Sequence, residues 1–179
     1  MHPLLDQPSF WVALTMLAIA AISDLRSGLI PNTLVLVGAG MGVLVQLLAA
    51  GPNLGAALGS MLLGLLACSF VPAILWMWGV LGGGDLKLFA ATGLCVGPAA
   101  GLDIQLAAHL LAVVPLPLYF LRRGGTLRTL RGAWTLLANI FRPAARRTPL
   151  DATQLTALRF APAIFAGALW VSYFGGIVP

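Results

Sequence analysis

The sequence predicts an all-α, polytopic membrane protein, and three observations carry that prediction. Of the 179 residues, 60% are hydrophobic and only 8% are charged, against about 25% charged in an ordinary soluble domain. Mean hydropathy is +0.98, too apolar for a chain that must cover itself with water-facing side chains. The apolar residues also fall into about six runs, each near the roughly 20 residues that a helix needs to cross a hydrocarbon core, separated by Gly, Pro and Asn.

The first run, at about 7–24, follows MHPLLDQ, which has no Lys or Arg and carries Asp6. It therefore reads as a retained span and not as a cleaved signal. Arg26-Ser27-Gly28 and Pro31-Asn32 break the chain before a second span at 33–50, and Gly51-Pro52-Asn53 separates that from a third at 55–80. Gly82-Gly83-Gly84 leads into a fourth at 85–102, expected to end in a loop from Gly97-Pro98 through Asp103, and a fifth follows at 104–121. The last span is expected at 159–177. The whole of 1–179 reads as a single integral-membrane domain.

Between the fifth and sixth spans lies an Arg-rich segment, 122–158. Within it Leu127, Leu130, Trp134, Leu137 and Phe141 recur at three- and four-residue steps, with Arg128, Arg131 and Thr135 turned elsewhere. This pattern predicts an amphipathic helix lying in the membrane interface, its arginines on the phosphates of anionic lipids. Lys and Arg of short loops stay cytoplasmic. Threading six spans gathers the 10 cations on or beside one face, so that face is cytoplasmic and both termini are expected outside.

The same counts exclude several classes. The pI near 10.3 comes from arginines flanking spans and not from a groove-reading face, so nucleic acid is not an expected partner. Cys68 and Cys95 stand alone in apolar runs, which suggests neither a disulfide nor a metal site; no cofactor is implied.

Of the five carboxylates, all Asp, Asp24 and Asp85 demand a function. A carboxylate near a span centre costs about 2.5–3.5 kcal/mol on insertion scales, and the runs flanking these two draw both to the cytoplasmic membrane boundary. Asp103 and Asp151 are expected in loops. Arg26 and Lys87 each follow an aspartate by two positions, where a cation either eases ionisation of the carboxylate or reaches for lipid phosphate. Gly82, Gly83 and Gly84 are expected to stay unwound, letting another backbone approach Asp85. Pro31 turns the chain, and Asn32 is placed to cap the second span.

Asp24 followed by Ile30-Pro31-Asn32, together with the GxGD sequence Gly82-Gly83-Gly84-Asp85 and Lys87, resembles the type IV prepilin peptidases, which are intramembrane aspartyl proteases. The short form serving Flp (Tad) pilus assembly is the most similar, and Arg159-Phe160-Ala161-Pro162-Ala163-Ile164 through Gly167 looks like the family's C-terminal stretch. The resemblance implies removal of a short basic leader from prepilins and pseudopilins at the cytoplasmic face of the bacterial inner membrane, with Asp24 and Asp85 catalytic. Long members also methylate the new N-terminus and carry paired CxxC motifs; these are lacking here, so methyltransferase activity and zinc are not expected. Presenilin-like relatives have Tyr before the first aspartate, where this chain has Ser23. Oligomeric state is not legible.

Helix dipoles favour an anion at a helix N-terminus, so Asp85 is expected as the starting base and Asp24, near a helix C-terminus, as the acid. The competing reading is a small proton-coupled transporter, which would also use buried aspartates. His109, alone in a span, reads as a bundle histidine. Trp76, Trp78 and Trp170 read as interfacial anchors, and Gly38, Gly40, Gly42, Gly55, Gly59 and Gly64 as close-packing positions.

Overall fold

The computed structural model describes residues 4–79, 81–113 and 160–176, and among them all regular structure is helical, with no strand. α1 (Pro8–Ser27) opens on a proline, whose missing N–H is no loss in a first turn, and stops at Gly28. There φ of +67° gives the left-handed turn that glycine adopts freely, and the Gly28 N–H bonds the Asp24 carbonyl. α2 (Asn32–Ala50), a single 3-10 turn (Gly51–Asn53) and α3 (Leu54–Met77) follow. α4 (Gly83–Val96), α5 (Pro98–Val113) and α6 (Ala161–Phe174) complete the described helices.

Two stretches, Pro8–Ser27 and the nearly continuous Asn32–Met77, are long and apolar enough to cross a membrane. α4 and α6, with 14 residues each, fall short of that length, and α5 is described over 16 residues, to Val113. Met1–Leu111 and Arg159–Pro179 form one unit and Ala112–Leu158 a second. The Arg-rich segment, its amphipathic helix and the end of the fifth expected span lie outside the described residues.

The sequence misplaced the break between the fourth and fifth spans. α4 ends at Gly97, with φ of +82°, and α5 starts at once with Pro98. Proline cannot continue the hydrogen bonding of α4 and disfavours helical geometry in the residue before it, so this pair suffices to turn the chain. Asp103 is consequently not in a loop: it lies within α5, is 6% exposed, and faces the backbone at Gly176.

α4 is the central element, packed against α1, α2, α3 and α6, and Leu88, Phe89, Ala91, Thr92 and Cys95 along it are buried. Its approach to α3 is set by glycines. A Cβ on Gly64 would overlap the Gly93 carbonyl, and one on Gly93 would lie 2.7 Å from both Cβ and Sγ of Cys68. On α2, Gly38 and Gly42 are closed by Met16 and Cys95. Gly40, Gly55 and Gly59, expected to act in the same way, have nothing within 4 Å, because they lie on outward helix faces.

The C-terminal end of α4 receives its cap from another helix. Gln46 of α2 donates from Nε2 to the Leu94 carbonyl at 2.7 Å and the Cys95 carbonyl at 2.8 Å, two of the acceptors that a helix end leaves without partners. Gln46→Leu is expected to lower stability by about 1–3 kcal/mol, the cost of stranding buried acceptors; thermal unfolding in detergent measures it.

Candidate active site

Asp24 and Asp85 come from opposite kinds of helix end. Asp24 lies in the last turn of α1 and is 6% exposed; Asp85 lies in the first turn of α4 and is 8% exposed. α1 packs on α4, and the two carboxylates are near enough for their charges to interact. Burying two acids together is costly unless backbone or solvent dipoles support them.

Each acid has backbone support. Asp85 is the third residue of α4, and its carboxylate takes the Gly82 N–H, the back-bond of a capping box. A Cβ on Gly82 would be 3.1 Å from Asp85 Oδ2, so the glycine keeps this approach open. Only Gly82 is extended, at φ −71° and ψ 145°. Gly83 and Gly84, expected to be unwound, are the first two helical residues, because one extended residue suffices to bring the chain into α4.

Asp24 is held from the far end of the sequence. The Ala161 N–H, at the start of α6, donates to Asp24 Oδ2 at 3.3 Å. Phe160, the residue capping α6, makes no side-chain capping bond, and Pro162 has no N–H. A carboxylate from α1 thus serves as an acceptor for the amino end of α6. The dipole reasoning that favoured only Asp85 as the anion is therefore incomplete, since Asp24, at the carboxyl end of α1, also meets the amino end of α6.

The loop between α1 and α2 folds back onto this site. Ser23 Oγ donates to the Leu29 carbonyl at 2.8 Å, and Ile30 lies against Gly84, where a Cβ would be 3.3 Å away. Lys87 Nζ donates to Asn32 Oδ1 at 3.0 Å. Asn32 therefore does not cap α2 with its side chain; Pro31 occupies the cap position and no side-chain cap forms. Arg26 is exposed in the last turn of α1.

So the structure gathers Asp24, Asp85, Gly82, Gly84, Lys87 and Asn32 around the α1–α4 contact, while Gly83 is turned toward the Trp76 indole. Ser23, Ile30 and Ala161 were not singled out as site residues, although Ser23 adjoins Asp24 and Ile30 and Ala161 lie within the stretches that carry the family resemblance. Asn32→Ala and Lys87→Met are expected to lower the activity of the site by the same factor of about ten or less. The double variant should be no worse, with a coupling of about 0.5–1.5 kcal/mol measured in a double-mutant cycle.

A cavity of about 450 Å³, lined among others by Asp6, Ser9, Gln46, Ser60 and Val96, lies at the other end of α4, roughly 16 Å from Asp85 by helical rise. It belongs to neither carboxylate. Among the described residues no group of three or more His, Cys, Asp or Glu is placed to hold a metal ion.

Among known families, the model of the type IV leader peptidase family matches residues 11–117, more than half of the chain. It spans both carboxylates and stops before α6. No curated protein and no solved structure matches significantly.

Proposed function

The chain belongs to the type IV leader peptidase family, and on that premise we propose that it is an aspartyl endopeptidase whose working pair is Asp24 and Asp85. The observation that carries this reading is the burial of two carboxylates at one helix contact, close enough to interact. Hydrolysis requires one of them ionised and one protonated, which is what two neighbouring acids adopt, because like charges resist joint ionisation. The ionised member takes a proton from water as its oxygen adds to the scissile carbonyl carbon. The protonated member gives its proton to the amide nitrogen as the C–N bond breaks.

The substrate is a prepilin or pseudopilin of the Flp (Tad) type: a basic leader in the cytoplasm, a Gly at the junction and an apolar helix in the membrane. The enzyme is a multi-pass protein of the bacterial inner membrane with six spans, its acids at the cytoplasmic boundary and both termini outside. Two long apolar stretches support that location. The Arg-rich segment 122–158 faces anionic lipid, because it would repel a basic leader. Methylation of the new N-terminus is left to a separate enzyme.

The test is to incubate the purified chain in detergent with a prepilin and S-adenosylmethionine. Mass spectrometry is expected to show release of the leader after Gly and an unmethylated product. An uncut prepilin rejects the reading.

A further inference from the structure

Gln105 and His109 lie one turn apart on α5, and each carries a buried polar atom without a hydrogen-bond partner among the described residues. His109 Nδ1 is 2.6 Å from the Gln105 backbone carbonyl; a carbonyl only accepts, so Nδ1 holds the proton and Nε2 of the neutral ring is an acceptor. That Nε2 and Gln105 Oε1 are both buried and find no hydrogen-bond partner among the described residues. Gln105 is only 5% exposed. An unused buried acceptor is unfavourable and is seldom kept.

Their position ties them to the acids. The His109 ring stacks on Phe89, with centroids 5.6 Å apart and planes at 13°, and meets Phe160 at 5.1 Å. Phe89 is one turn beyond Asp85 on α4, and Phe160 immediately precedes the Ala161 N–H that reaches Asp24. His109 therefore sits about 6 Å along α4 from Asp85, and Gln105 one further turn of about 6 Å away.

A helix presents no open amide to a water molecule, so a substrate cleaved near the junction of leader and apolar helix must unwind there. Unwinding frees backbone N–H groups where little water can take them, and each then needs an acceptor. We propose that Gln105 Oε1 and His109 Nε2 are those acceptors, binding backbone N–H groups of the unwound substrate on the membrane side of the cut. An extended chain advances about 3.3 Å per residue, so the two atoms face roughly the second to fourth residues past the scissile bond. The inference rests on the leader-peptidase reading and gives that site a subsite for the peptide backbone.

The test uses the full chain carrying Asp24→Asn and Asp85→Asn, so that binding is read without turnover. The probe is a fluorescent synthetic peptide with a basic leader, a junction Gly and an apolar helix, together with the same peptide N-methylated at the second to fourth positions past the junction. His109→Phe and Gln105→Met are each expected to weaken the parent peptide about tenfold and to leave the N-methylated peptide unchanged. The melting temperature should hold or rise, because an unused buried acceptor has been removed. Unchanged affinity for the parent peptide overturns the inference, and so does equal weakening of both peptides, which marks a structural role. Failure of the underlying reading is separate: there the chain with Asp24 and Asp85 intact leaves the parent peptide uncut.

Discussion

Asp24→Asn and Asp85→Asn are each expected to lower the rate of leader cleavage about 1,000-fold, with the folded protein intact. The amide keeps the shape of the carboxyl but neither takes a proton from water nor delivers one to the leaving amine. Each of those roles is worth about 10²–10⁴ in rate, and groups that act as a unit fail together, so the double variant should be hardly slower than either single one. Stability should move little, or upward, because a buried acid that is costly to ionise is replaced by a neutral amide of the same shape. The measurement is leader release in detergent alongside thermal unfolding. A single variant that keeps cleavage within tenfold of wild type would reject the pair as catalytic and return the transporter reading to contention.

The largest expected loss of stability lies away from the acids, at the crossing of α3 and α4. Gly93→Val places a branched side chain where a lone Cβ would already crowd Cys68 Cβ and Sγ at 2.7 Å and overlap the Gly64 carbonyl. Backbone on one side and a buried Cys68 on the other cannot yield without parting the helices. Even Gly93→Ala is expected to cost about 1–3 kcal/mol, with Val beyond that range and the yield of folded protein falling accordingly. Gly59→Ala on α3 is the control: its Cβ meets nothing within 4 Å, and exchanging a helical glycine for alanine gains up to about 1 kcal/mol. Equal effects at Gly59 and Gly93 would show that backbone freedom, and not the crossing, governs both.

The contrast between those two glycines marks how far the sequence could be read. Composition and run length gave the helices, and the flanking Gly and Pro gave most of their ends, because these are local properties. Which glycine faces a neighbour depends on helix rotation, and a chain of apolar residues on all sides carries too little periodic contrast to reveal it. Asp24 and Asp85 were legible because a carboxylate in an apolar run is an anomaly whatever the fold. The Ala161 N–H on Asp24 was not, since it joins positions 137 apart and a backbone N–H has no residue-type signature. Asp103 was misread for a related reason: it lies five residues past the Gly97-Pro98 pair that ended one helix and began the next, so the turn was placed too late.

α4 and α6 have one more consequence. With 14 residues each they are roughly 21 Å long, about 9 Å less than a typical hydrocarbon core. α4 is screened by the helices around it, but α6 exposes Trp170, Tyr173 and Phe174. On the proposed topology, lipids beside α6, whose amino end meets Asp24, must therefore tilt or compress. Water and a charged leader then meet the acids without being dragged to full membrane depth. Turnover should accordingly depend on acyl-chain length, fastest in short-chain lipids whose thickness already matches α6.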